Sequence, residues 1–140
     1  MPKTASQKLK LLYLKKIFEE RTDEEHTMTI ADLEEALEEY HIPAQRKALY
    51  DDIDALRRFG VDIVARRSYH SCGYYLGERE FQLPELRLLV DAVQSSRFIT
   101  HRKSNQLIKK LERLTSQPQA GALQRHVYVY DRIKTANERI

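Results

Sequence analysis

The sequence predicts a mostly α chain with one small β-hairpin, an α+β fold, and three observations carry that prediction. Apolar residues recur at helical spacing through five segments. Between residues 60 and 77 the period changes to short runs rich in β-branched and aromatic residues, as strands require. Two of the helical segments are separated only by His41-Ile42-Pro43, which is the pattern of a helix-turn-helix.

The first helix is expected from Ser6, a suitable N-cap, to Arg21, with Leu9, Leu12, Tyr13, Leu14, Ile17 and Phe18 as its apolar set. The polar stretch from Thr22 to His26 breaks the pattern and reads as a loop. A second helix starts at Thr29, an N-cap with Asp32 three residues on, and carries Ile30, Leu33, Ala36, Leu37 and Tyr40. Pro43 pushes the residue before it out of the α region. A third helix is expected from Ala44 to Phe59, closed by Gly60 at its C′ position. Strands are expected at 61–65 and 74–76, with Arg66 to Gly73 as a polar hairpin tip, the wing of a winged helix-turn-helix. Pro84 suits the first turn of the next helix, whose stripe is Leu86, Leu89, Val90 and Val93. A fifth helix presents Leu107, Ile108, Leu111 and Leu114 and ends at Ser116 to Gln119. Val127 to Tyr130 reads as a lone C-terminal strand, whose unpaired backbone calls for a partner in another copy, in the wing or, the favoured option, beyond Ile140. The organisation expected is a winged helix-turn-helix over 1–80, a helical linker and dimerisation module over 81–118, and, over 119–140, a strand and the start of a C-terminal domain that the chain lacks.

Of the 140 residues 41% are hydrophobic and 32% charged, which suits a helix-rich soluble chain. No stretch nears the roughly 18 apolar residues that cross a bilayer, and the N-terminus lacks the apolar run of a signal peptide. Cys72 is the sole cysteine, so an intrachain disulfide is impossible and a reducing, cytoplasmic setting is expected. The net charge is +3, unevenly distributed. Residues 1–77 carry 12 Lys and Arg against 14 Asp and Glu, whereas residues 78–140 carry 12 against 7. Any positive surface in the first half must therefore be concentrated on one face.

The third helix has the groups for such a face. Leu49, Ile53 and Leu56 point to the core, and Lys47, Tyr50, Asp51, Asp54 and Arg58 point away, with Arg46 on the flank. Gln45, Arg46, Lys47 and Tyr50 are the candidates for major-groove readout, because Gln and Arg make bidentate contacts to base edges and Lys meets phosphate or guanine. Thr29 is a candidate phosphate contact through the N-terminus of its helix. Arg66, Arg67 and His70 are candidates for wing contacts to phosphates or the minor groove. Asp51 and Asp54 repel DNA unless they pair along the helix, with Arg58 or Lys47 as the expected partners. His70 and Cys72 lack a second ligand pair at metal spacing. There is no Gly-rich phosphate loop and no nucleophile elbow, so no catalytic residue, cofactor or metal is assigned and an enzyme is not expected.

The stretch from Tyr50 to Ile63 resembles the end of the recognition helix in bacterial DeoR-like regulators of the WYL-domain type, with Leu49, Tyr50, Asp52, Ile53 and Leu56 matching. Phe81 to Thr100 and Ser104 to Ser116 resemble the helical linker of those regulators, and Gln124 to Ile140 resembles the entry into the WYL domain. Asp51 stands where that family usually has arginine, and Ala44, Gln45 and Ala48 replace its early Ser and Thr. The chain has no Trp, so the Trp-Tyr-Leu signature is missing, and with it the effector domain that would bind a ligand. The resemblance implies a homodimer on double-stranded DNA at a palindromic operator, with no membrane partner. The alternative is a winged-helix protein-interaction module without DNA binding, suggested by the acidic pairs Glu34-Glu35 and Glu38-Glu39.

Overall fold

Helix α1 spans Lys3–Arg21 in the computed structural model, which describes residues 3–124. It starts before Ser6, the expected N-cap, because nothing in Lys-Thr-Ala opposes a helix. Helix α2 spans Ile30–Glu39 and α3 spans Arg46–Phe59. The turn between them occupies six residues, 40–45, rather than the three expected. Tyr40 caps α2, His41 takes the left-handed conformation at φ 60°, and Ile42 N–H closes onto the Leu37 carbonyl at 3.0 Å. Buried Ile42 anchors this reversal. Gln45 is still extended as the N-cap of α3, so the recognition-type helix starts two residues later than its periodicity suggests.

The hairpin follows Gly60, whose φ of 119° ends α3 in a conformation that glycine alone adopts readily. Strands β1 (Ile63–Arg67) and β2 (Cys72–Leu76) pair antiparallel, Ile63 opposite Leu76 and Arg67 opposite Cys72. The ladder therefore runs two residues further out than the apolar pattern implies. Arg66 and Arg67 lie within β1, and the tip is Ser68 to Ser71, closed by Ser68 N–H on the Ser71 carbonyl at 2.8 Å. Backbone pairing needs no apolar side chain, which is why the pattern undercounts the strand.

Leu14, Ile17 and Phe18 of α1 meet Leu33 and Leu37 of α2, Leu49, Ile53 and Leu56 of α3, and Ile63 and Leu76 of the hairpin in one core. A second layer of order is polar. Thr22 is fully buried; its Oγ1 donates to the Phe18 carbonyl at 2.6 Å and accepts from Leu76 N–H at 3.0 Å. Met28 and Tyr74 exchange both backbone hydrogen bonds, at 2.9 and 2.7 Å, giving the hairpin a minimal third strand. Gly73 passes so close to Thr27 that a Cβ there would overlap its side chain.

This first unit, Met1–Glu78, is a mostly helical, winged-helix-like fold. The second unit, Arg79–Ile140, opens with α4 (Leu83–Ser95), where Gln82 N–H donates to Glu85 at 2.9 Å and Pro84 sits in the first turn. Helix α5 (His101–Glu112) is capped by Thr100, whose Oγ1 accepts from Lys103 N–H at 3.2 Å. Residues 117–124 are again helical, and Leu123 is buried with Leu86, Val90 and Ile108. The packing of this unit thus runs past the boundary expected at residue 118. The strand expected at Val127 to Tyr130 lies outside the described residues. Among those described, no helix is long and apolar enough to cross a membrane.

Thr22→Val keeps the shape of Thr22 but leaves Leu76 N–H without its acceptor. It should lower unfolding stability by about 1–3 kcal/mol, read as a fall in urea midpoint at unchanged m-value. Gly73→Ala should also destabilise, by pushing β2 off the segment at Thr27 and Met28. Its signature is faster amide hydrogen exchange at Met28 and Tyr74 than in α1.

Candidate nucleic-acid interface

Two lines of side chains run along the solvent side of α3. The outer line is Lys47, Asp51, Asp54 and Arg58, all exposed. The second line, toward the hairpin, is Arg46, Tyr50 and Arg57, which share one flank of the helix. The Tyr50 phenol beside Arg46 raises the pKa of its guanidinium, with Glu34 of α2 adding a weaker attraction. Tyr50 is 42% exposed, so its ring edge remains open to a partner. Arg57 reaches the other way, its Nε donating to the Ile63 carbonyl at 2.9 Å and locking α3 to β1.

The acids of α3 divide by role. Asp52 faces inward and lies 2.8 Å from the Lys10 ammonium of α1, which is only 3% exposed. Its Oδ2 meets that charge outside hydrogen-bonding angles, so the attraction is mainly coulombic. Asp54 lies 3.5 Å from Arg57, not beside Arg58 or Lys47 as expected, because the grip of Arg57 on Ile63 fixes its guanidinium over that carboxylate. Arg58 and Lys47 have no acidic partner among the described residues, and Asp51 has no basic one there. Arg57 and Arg58 complete the basic set of the helix, and sequence reading passed over both as contacts. Their position just before a capping glycine on the outer face was the available signal.

Gln45, the first of the proposed readers, is the exposed N-cap of α3 and makes no capping hydrogen bond with its side chain, leaving its amide available. It also lines a groove of about 740 Å³ between the start of α1 (Ser6, Gln7, Lys10) and the α2–α3 turn (Pro43). Thr29 caps α2 with Asp32, as its spacing predicts. Its Oγ1 accepts from Asp32 N–H at 3.2 Å while its own N–H donates to Asp32 Oδ2 at 2.9 Å, a reciprocal capping box. The Asp32 carboxylate already occupies the positive end of α2, which works against a phosphate at Thr29.

On the hairpin, Arg66 folds back, donating to the Glu24 carbonyl at 2.6 Å and lying 4.8 Å from the Tyr75 ring centre. Arg67 points to the opposite face, exposed at the outer end of β1. The tip itself presents His70, edge-on to Tyr69 at 5.0 Å, with Tyr69 95% exposed. Tyr69, His70 and Arg67 are thus the outermost wing groups, and Arg66 is a supporting residue rather than a tip residue. The pKa of the Tyr74 phenol is raised first by burial and then by the neighbouring Cys72 thiol. Among the described residues no group of three or more His, Cys, Asp or Glu could hold a metal.

Comparison with known protein families, with curated proteins and with solved structures finds no match.

Thr29→Ala should cost about 1 kcal/mol of stability, as loss of an N-cap does, and Thr29→Ser should restore most of it. If Thr29 acts only as a cap, any loss of affinity for duplex DNA in Thr29→Ala should vanish at temperatures well below its melting transition. A persistent loss there, recovered by Ser, would keep Thr29 in the contact set.

Proposed function

We propose that this chain is the DNA-binding region of a cytoplasmic transcriptional regulator that reads duplex sequence with α3 and grips the flanking backbone with the β1–β2 wing. The observation that carries this reading is the concentration of charge. Residues 1–77 are net acidic, yet α3 exposes Arg46, Lys47, Arg57 and Arg58 against two exposed acids, Asp51 and Asp54, and residues 63–76 of the hairpin hold Arg66 and Arg67 with no carboxylate. The cations of this half thus outnumber the acids on α3 and the wing, the reverse of the half as a whole. Gln45, Arg46 and Lys47 on the first turn and a half of α3 are the groups for base edges, Tyr50 adds an aromatic edge beside them, and Arg67 with His70 and Tyr69 meets the backbone beside the site. Two copies on an inverted repeat, and a ligand-sensing domain beyond this chain, complete the reading that the resemblance to WYL-domain regulators suggests.

A second reading has its own support. Glu35 and Glu38 are exposed on α2, the helix that would lie nearest the backbone in a helix-turn-helix complex, and Asp51 has no partner. Those features suit a winged helix that docks a basic protein surface.

Selection of bound duplexes from a random pool should yield an inverted repeat. On the selected duplex, Arg46→Ala with Lys47→Ala should reduce affinity by tenfold or more, on the order of 1–3 kcal/mol per lost base contact, and relax the sequence preference. Lys15→Ala on α1, paired with Glu19, should leave both unchanged. Affinity should fall steeply with salt, with a log–log slope of about 0.9 per phosphate contacted. Recovery of no preferred sequence, with no duplex bound at low salt, would favour the protein-docking reading.

A further inference from the structure

The second unit carries a cationic stripe that the reading above does not use. On α5, Arg102, Lys109, Lys110 and Arg113 are exposed on one side, with Lys103 beside them, opposite the buried Ser104 and Ile108. None of these five has an acidic partner among the described residues. The nearby carboxylates are committed elsewhere: Glu112 accepts from Gln124 at 3.2 Å, Glu85 caps α4, and Asp91 is itself engaged.

The arrangement works against helix stability. Lys109 and Arg113 stand four apart and Lys110 and Arg113 three apart, like-charge spacings that repel. The helix dipole offsets this in the last turn, but Arg102 and Lys103 sit in the first turn, where it opposes cations and where the helix has no acid. Solubility alone is better served by mixed signs. A partner with dense negative charge removes the repulsion. The stripe spans about 16 Å of helix axis at 1.5 Å per residue, a length over which duplex DNA presents roughly ten phosphate charges. The first unit, by contrast, has few cations to spare for phosphates beyond those of α3 and the wing.

We infer that the α5 stripe of the second unit is a sequence-independent phosphate-binding surface for duplex DNA, supplying backbone affinity that the net-acidic first unit lacks. This inference rests on the DNA-binding reading of α3.

The test measures anisotropy of labelled duplexes, one of random sequence and one selected, against the full 140-residue chain over a range of salt. Arg102→Gln, Lys109→Gln, Lys110→Gln and Arg113→Gln together should cut the log–log salt slope by about two to four. Affinity should drop on the order of tenfold or more for both duplexes alike, with the sequence preference intact. The charge-keeping set Arg102→Lys, Lys109→Arg, Lys110→Arg and Arg113→Lys should bind as the parent does, separating charge from folding. A wild-type slope in the Gln variant overturns the inference while leaving the recognition-helix reading untouched. Loss of slope in that variant, with sequence preference surviving Arg46→Ala and Lys47→Ala, supports the stripe and sinks the recognition helix. If the parent binds neither duplex, both fall. Binding to phosphatidylserine vesicles that exceeds duplex binding, and that the Gln set abolishes, also overturns the assignment to DNA.

Discussion

Five-residue strands joined by a tight turn do not hold together alone in water, and the wing of this protein is such a hairpin. What fixes it is the junction at the end of α1. The Thr22 hydroxyl satisfies Leu76 N–H from below, Met28 adds a strand pair at Tyr74, and Arg57 takes the Ile63 carbonyl from the side of α3. Two anchors come from the α1–α2 segment, where Thr22 is itself tied to the Phe18 carbonyl of α1, and the third from α3, so the hairpin is located with respect to all of them at once. The flank of α3 that carries Arg46 and Tyr50 then has a defined neighbour, since Tyr50 lies near enough to Tyr74 to influence its phenol. Relative placement of helix and wing is a property of buried polar contacts more than of the apolar core.

The same holds between α1 and α3. Leu14, Ile17, Leu49 and Ile53 make the two helices stick, but apolar side chains accept several registers at similar cost. Lys10 and Asp52 do not. An ammonium that is 3% exposed has one acceptable neighbour, and sliding α3 by a turn would leave two desolvated charges apart. This pair contributes little net stability beyond what a well-packed apolar pair would give, yet it excludes alternatives. It also settles the role of the triplet Tyr50-Asp51-Asp52. One acid is internal architecture, and the other lies on the exposed side of α3.

Most of the fold was legible because periodicity reports burial directly. Leu49, Ile53 and Leu56 read as the inner stripe and are buried; Leu86, Val90 and Ile108 read as the second core and are buried. Periodicity fails where backbone or polar atoms decide. The α2–α3 turn is longer than expected because His41 goes left-handed to bury Ile42, and no side-chain pattern encodes that reversal. Arg66 and Arg67 looked like a tip because they are charged, but ladder bonds ignore charge. Lys10, Thr22 and Met28 gave no signal at all, since each acts on a residue at least 42 positions away in sequence. Site residues were legible as types: Gln45, Arg46, Lys47 and Tyr50 do lie exposed at the start of α3.

The head groups at the start of α3 bear on how the face would discriminate between duplexes. A long cationic side chain loses rotamer freedom on binding, at about 0.5–1.5 kcal/mol for each one immobilised. Arg46 and Lys47 both face that loss, since neither has an ion-pair partner among the described residues. They differ in shape: the planar fork of Arg46 fits its acceptors in one geometry, whereas the Lys47 ammonium finds whichever phosphate or base edge is nearest. On this physical ground Arg46 is the residue whose contacts would specify sequence and Lys47 the one whose contacts would add affinity. Asp51 stands on the outer line, one position beyond Tyr50, where the WYL-type regulators that this stretch resembles usually carry arginine. On the proposed reading the specific cation would then be Arg46, next to Gln45, and the acid would work against a phosphate near the middle of α3.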